Sequence, residues 1–391
     1  MMHGSTRHLG WLVGALGIGT LAGSACSDNN HNKPDLANPT PRISDNSSAT
    51  TRKNVSEKPK TPALTFKRPD HVRGIYLTAW SAGSKRKLTA ILDMFDKTVL
   101  NAVVIDIRDD DGLFWKTGIA LAVTSGAERV AVPKPQVLMQ TLNDHGVYPI
   151  ARIACFRDAF VPKKFPERAV QLPNGKIWRD RSGHSWLDPY NKKNWDYITS
   201  IVDFALNQGF PEVQLDYVRF PSEGKSATQT FPGKKSYGDG KAIPQDVIAA
   251  FADYMAKHVH ARGAKISADI FGIISSSKSD QGIGQELEKI AAPFDTLSPM
   301  VYPSHFHKGE YGIKDPSLQP YAIIKKSLTD YKKRLPKMNV RPWLQDFFGY
   351  TADQIKAQIK AAKECGYEDF LLWNAGNHYT ASAVAKPKPK G

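Results

Sequence analysis

The sequence predicts a (β/α)8 TIM barrel, an α/β fold. Two observations carry that expectation. Eight apolar strand-like runs alternate with stretches of helical periodicity over about 310 residues, and that alternation argues for a parallel sheet with crossover helices. The long connections all leave the C-terminal ends of strands, the face where such barrels place their sites.

The strand-like runs are residues 72–80, 102–108, 148–156, 212–220, 265–271, 296–302, 341–347 and 370–374. They are rich in Val, Ile, Phe and Trp, the residues that suit a pleated buried surface. Between them, 87–100 places Leu88, Ile91, Leu92, Phe95 and Leu100 close to a 3.6-residue period. Stretches 135–145, 194–208, 244–261, 283–291, 316–334 and 352–365 continue the alternation. Gly146, Gly209, Gly263 and Gly366 follow four of them, where a left-handed cap is wanted. Little chain remains after Tyr379, so the barrel is expected to close with a short or missing last helix. No G-x-G-x-x-G follows the first strand, which argues against a dinucleotide fold.

Around this domain, read as residues 67–381, lie three other segments. Residues 1–25 read as an export signal, with Arg7 and His8 ahead of an apolar, Gly-rich stretch too short for an ordinary membrane span. Small residues lead to Cys26, an arrangement that resembles a bacterial lipoprotein signal and implies lipidation at Cys26. Gly23 departs from that pattern, so ordinary cleavage after Ala25 remains the alternative. Residues 26–66, dominated by Asn, Ser, Thr, Pro and Lys, read as a disordered linker. Residues 382–391 read as a basic tail. The expected location is periplasmic, on the outer membrane as a lipoprotein, or extracellular.

The formal net charge of +15 admits nucleic acid as a partner. No arginine-rich arm, helix-turn-helix signal or zinc-finger spacing supports it, and none is expected as a partner. Three cysteines are too few for a disulfide framework.

Chemistry concentrates at strand ends. Asp216, in Glu212-Val-Gln-Leu-Asp-Tyr-Val-Arg-Phe-Pro221, is a carboxylate inside an apolar strand, where an ion needs a partner. Arg219 is the expected partner, holding Asp216 ionised and oriented. Asp269, in Ile266-Ser-Ala-Asp-Ile-Phe-Gly272, is equally late in the next strand. Adjacent parallel strands are about 4.8 Å apart. Two carboxylates at equal height there fall within the ~5–10 Å that glycosidic cleavage uses. Asp216 is the candidate nucleophile or base, and Asp269 the candidate acid.

Asp106 and Arg108 precede an Asp109–Asp111 run, read as a polar strand-end network in which Arg108 pairs with Asp106 or contacts substrate. The run lacks the D-x-D-x-D-G spacing of a calcium loop. Trp80, Tyr302, His305, Trp343, Gln345, Trp373 and Asn374 cluster at the remaining strand ends. Aromatic faces stack on sugar rings, and amides and imidazoles meet hydroxyls. A Ser nucleophile elbow, H-E-x-x-H, C-x-x-C and a Walker loop are absent from the sequence, and no cofactor is expected.

Val72-Arg-Gly-Ile-Tyr-Leu-Thr78, Val104-Ile-Asp-Ile-Arg-Asp-Asp-Asp-Gly112, Trp186-Leu-Asp-Pro-Tyr190, Leu215-Asp-Tyr-Val-Arg-Phe-Pro221, Ser267-Ala-Asp-Ile-Phe-Gly272 and Ser298-Pro-Met-Val-Tyr-Pro-Ser304 together resemble the bacterial putative glycosyl hydrolase domain family of the TIM-barrel glycosidase clan. The resemblance spans roughly residues 70–380. It implies glycoside hydrolysis of a poly- or oligosaccharide, and it carries Asp188 over as a substrate-binding residue. Amylase-like barrels pair a strand-four Asp nucleophile with a strand-five Glu acid. An Asp stands in the fifth strand here, which leaves the stereochemical outcome open. The competing readings are a non-catalytic carbohydrate-binding barrel and a polysaccharide deacetylase or another metal hydrolase, in which His305 or His307 would converge with Asp side chains on a metal.

Overall fold

A computed structural model describes residues 64–222 and 228–387. The expected signal segment, Cys26, most of the linker and residues 388–391 lie outside them. Eight parallel strands close on themselves: β1 (Arg73–Leu77), β2 (Ala102–Asp109), β3 (Tyr148–Ala154), β4 (Glu212–Asp216), β5 (Lys265–Phe271), β6 (Thr296–Met300), β7 (Trp343–Gln345) and β8 (Phe370–Trp373). Each pairs with its neighbour in sequence, and β1 pairs with both β2 and β8. This is the (β/α)8 barrel that the alternation predicts. The crossover helices, one leading into each of the strands β2–β8, are α1 (Lys85–Lys97), α2 (Pro135–Asp144), α3 (Lys192–Asn207), α4 (Pro244–Ala261), α5 (Leu287–Ala291), α6 (Pro320–Arg334) and α7 (Ala352–Glu364), with shorter helical turns in the connections. After β8 the described chain forms a single 3-10 turn, Ala381–Ala383.

The alternation of side chains along each strand divides the core in two. Outward-facing residues such as Ile75, Ile105, Ile153, Val213 and Leu215 meet the helices in a large apolar shell. Inward-facing Val72, Tyr76, Val104, Tyr148, Ile150 and Trp343 fill the barrel in a smaller cluster. Phe66 packs against that inner cluster from the N-terminal side, and Arg68 pairs with Asp369 just ahead of β8.

Several expected boundaries move, for local reasons. Trp80 lies in a short helix, Ala79–Ala82, because the Thr78 side chain caps it by accepting from the Ser81 N–H. β4 stops at Asp216, where Tyr217 takes a φ of 51° that no strand continues through. α5 is shorter than the 283–291 expected. Gly282 and Gly284 hold left-handed conformations ahead of it. Gly146, Gly209, Gly263 and Gly366 take the left-handed caps predicted for them. Residues 384–386, expected in the basic tail, pack onto the body. Val384 is buried, its carbonyl accepts from the Val99 N–H at 2.9 Å, and Ala385 bridges Thr98.

Gly272 ends β5 hard against β6. A Cβ there would lie 2.6 Å from the Met300 carbonyl oxygen and 3.0 Å from the Val301 Cα. Both are backbone atoms with no side-chain freedom to yield. Gly272→Ala should cost about 1–3 kcal/mol. Urea denaturation should show a lower midpoint with an unchanged slope. An unchanged midpoint would disprove the close approach.

Candidate active site

The register sets the two candidate carboxylates side by side. Leu215 of β4 pairs with Ala268 of β5, so Asp216 and Asp269 follow at the same height on neighbouring strands. Both are buried, as are Asp106 on β2 and Arg152 on β3, which pair across the strands.

Arg152 is the centre of the site. Its Nη1 donates to Asp106 Oδ1 at 2.6 Å and lies 3.5 Å from Asp109 Oδ1. Its Nε and Nη2 donate to Asp216 Oδ2 at 3.1 and 2.6 Å. Asp269 Oδ2 is 4.0 Å from the same Nε. Two oxygens that close to one nitrogen lie no more than about 7 Å apart, which excludes a separation too wide for a glycosidic carboxyl pair. The guanidinium is also roofed by rings: its carbon sits 5.6 Å from the Tyr76 ring centre and 5.4 Å from that of Trp373. Burial alone would lower its pKa. The charges of Asp109, Asp216 and Asp106 more than reverse this and raise it well above the ordinary arginine value.

The sequence reading missed Arg152 and assigned its role to Arg219. Arg219 instead donates to the Phe220 carbonyl and Ser222 Oγ, with its guanidinium over the Trp186, Tyr217 and Phe271 rings. The signal was present: Tyr148-Pro-Ile-Ala-Arg-Ile-Ala154 carries one charged residue in a wholly buried strand. Its partners are distant in sequence, and proximity along the chain favoured Arg219.

The carboxylates differ in their surroundings. Asp216 accepts from Arg152 and, through Oδ1, from the Tyr217 N–H at 2.6 Å. Asp269 Oδ1 accepts from Gln214 Nε2 at 2.5 Å and Trp343 Nε1 at 2.6 Å. No hydrogen-bond donor among the described residues addresses its Oδ2. Burial first, and then the charge of Asp216, push Asp269 well above the usual carboxylate range. Arg152, Trp343 and Gln214 offset this only in part. Burial likewise raises Asp106 to about 7, against the opposing pull of Arg152, and Tyr76 donates to it at 2.5 Å. A pair such as Asp216 and Asp269, split by environment, gives one salt-bridged group and one group that holds its proton.

Aromatic side chains wall this centre. Trp373 stacks on Tyr76 with ring centres 4.0 Å apart and meets Trp343 edge-on. Tyr302 is buried, and its hydroxyl has no hydrogen-bond partner among the described residues. The charges of Asp269 and Asp216 act on it, after burial, to raise its pKa well above the ordinary tyrosine value. His305 packs edge-on to Tyr302, and burial lowers its pKa to about 4. Gln345 and Asn374 pin rim loops: Gln345 accepts from the Ser304 N–H and Asn374 donates to the Asp346 carbonyl.

Two further expectations need correction. Arg108 does not pair with Asp106. A register shift in β2 after Asp106 turns it outward, where it donates to Asp158 and to the Ala154 and Cys155 carbonyls, over the ring of Tyr197. Asp188 is fully buried away from this centre. Its two oxygens accept from the Tyr190 and Gly233 N–H groups, so it ties the third connection to the fourth. Among the described residues, no three His, Cys, Asp or Glu side chains converge as metal ligands. The Asp109–Asp111 run is spread over Arg152, Arg157 and Arg129.

A family model described as "Putative glycosyl hydrolase domain" matches residues 74–379. No curated protein matches the chain. Among solved structures, a hypothetical protein from Ruminiclostridium thermocellum is 34% identical over 50% of this chain and 96% of its own, at a TM-score of 0.44. The chitobiase of Flavobacterium johnsoniae is 13% identical over 82% of this chain and 49% of its own, at 0.52. The alpha-galactosidase of Thermus thermophilus is 13% identical over 79% of this chain and 58% of its own, at 0.49. The likeness to the chitobiase is one of fold.

Arg152→Met would leave Asp106, Asp216 and Asp269 buried without a cation beside them. It should destabilise the protein by ~3–5 kcal/mol at neutral pH. Without the guanidinium, burial lifts the folded-state pKa values of those carboxylates above their unfolded values. The deficit is then smallest where they are protonated, and it grows as pH rises through the carboxylate range. Urea midpoints for both proteins between pH 4 and 8 test this, and a gap that does not widen with pH would refute it.

Proposed function

The chain belongs to the family described as "Putative glycosyl hydrolase domain", and from that premise we propose that it cleaves the glycosidic bonds of a polysaccharide with Asp216 and Asp269 as its two carboxyl groups. The supporting observation is the shared Arg152 Nε, which keeps the pair from lying too wide apart for glycosidic cleavage while their surroundings differ. Asp269, which keeps its proton, is the acid that protonates the leaving oxygen. Asp216, salt-bridged and fixed by the Tyr217 N–H, attacks the anomeric carbon or activates the water that does. The bound on the separation admits both courses.

Around the pair, Tyr302 supplies a hydroxyl not spent on the protein, and Trp373 an apolar face. Trp343 and His305 shape the wall, Gln345 and Asn374 set the rim, and Arg219 belongs to the β4 side of it. In this reading the protein is exported and held at the cell envelope through Cys26. A barrel that only bound sugar would need the aromatics and the hydroxyl. It would have no use for matched carboxyls that differ in protonation.

Reducing-end release from a panel of bacterial and plant polysaccharides tests the chemistry. Wild type should release ends, and Asp216→Asn and Asp269→Asn should each fall at least ~1000-fold with circular dichroism unchanged. Full activity in a folded Asn variant removes that residue from the mechanism. The pH profile is a second check. An acid with a raised pKa is active while protonated, so kcat/KM should hold above the ordinary carboxylate range and fall at higher pH as Asp269 loses its proton. A fall beginning near pH 4 would exclude Asp269 as the acid.

A further inference from the structure

Phe348, just beyond β7, combines three features that packing alone does not explain. Its side chain is large and apolar, yet the residue is 68% exposed. Its backbone is left-handed, with φ 57°, a conformation that is a genuine outlier for a bulky residue. Gly349 follows at φ 73°, and the Tyr350 N–H donates to the Phe347 carbonyl at 3.4 Å. This is a tight turn with two successive positive φ values, a setting dominated by Gly, Asn and Asp. A phenylalanine at its first corner bears a steric cost and gains little burial in return.

The ring is not isolated. Its centre lies 4.9 Å from that of Phe347, at an interplanar angle of 73°. Phe347 in turn packs on Tyr302 at 5.4 Å and on His305 at 5.9 Å. A continuous line of rings therefore runs from the carboxylate pair, through Tyr302, to solvent at the barrel mouth. Its inner end carries polar groups, and its outer end is a bare aromatic face.

We propose that Phe348 is a sugar-stacking platform at an outer subsite, and that it makes the site select long chains over short ones. The inference rests on the reading of the barrel mouth as a sugar site. A single sugar unit at the carboxylates would leave Phe348 in water. A chain of several units leaving the mouth along β7 would cover it, trading exposed apolar surface for stacking on a pyranose face. The strained turn holds the ring out, because an ordinary turn residue would give the chain nothing to rest on.

Binding tests this without turnover. Cellohexaose, chitohexaose, maltohexaose and trigalacturonate, each with its disaccharide, are titrated calorimetrically into the wild-type chain and into Asp216→Asn. For the best-bound series, Phe348→Ala should weaken the longer ligand about three- to tenfold. The disaccharide should stay within about twofold, and Phe348→Trp should restore the long ligand. Equal loss on both lengths, no loss on the longer one, or no binding of any series would overturn the proposal. Phe348-dependent binding with no bond cleavage by wild type would retain the platform and remove the hydrolase reading. Cleavage that is indifferent to Phe348 would do the reverse.

Discussion

A buried guanidinium sets the terms for the upper half of the barrel. An arginine inside a barrel is costly unless every side of it is answered. Here Asp106 answers on β2, Asp216 on β4, and the half-exposed Asp109 above them. Asp269 lies farther out, 4.0 Å from the same guanidinium, and burial first, then the charge of Asp216, raise its pKa beyond what Arg152 offsets. Asp216 and Asp269 thus differ in how closely each meets a residue on a third strand that belongs to neither.

The layer below keeps Asp269 in place. Arg341, at the approach to β7, donates to Glu212 at 2.6 Å and to Gln214 Oε1 at 2.8 Å. Ser267 donates to Glu212 at 2.7 Å. Fixing Oε1 of Gln214 as the acceptor orients its amide, so that Nε2 points upward to Asp269. A second buried ion pair therefore aims one hydrogen bond of the chemical centre. Polar contacts in a low-dielectric interior are strong when complete, and this stack, ordered from floor to mouth, is nearly so.

The parts of this arrangement that the sequence makes legible are those with a local signature. Asp216 and Asp269 stand out because each interrupts an apolar strand, and the order of strands makes them neighbours. The left-handed caps at Gly146 and Gly366 follow from glycine after a periodic stretch. What escapes is determined by long-range geometry. Arg152 meets partners 46 and 64 residues away. The outward turn of Arg108 depends on a register shift between β2 and β3. Asp188 looks like a site residue because it sits in a recognisable motif, yet that motif builds a turn against Gly233. The exposed ring of Phe348 has no periodicity to mark it, since its meaning lies in a backbone angle.

Phe66 and the Arg68–Asp369 pair mark where the backbone joins the barrel. The chain enters on the side where the strands begin, and residues 384–386 return to the same side against Thr98 and Val99. Both ends of the described chain thus leave from the floor. The carboxylates and the Phe348 ring lie at the opposite end of the barrel, so neither end of the described chain crosses the mouth.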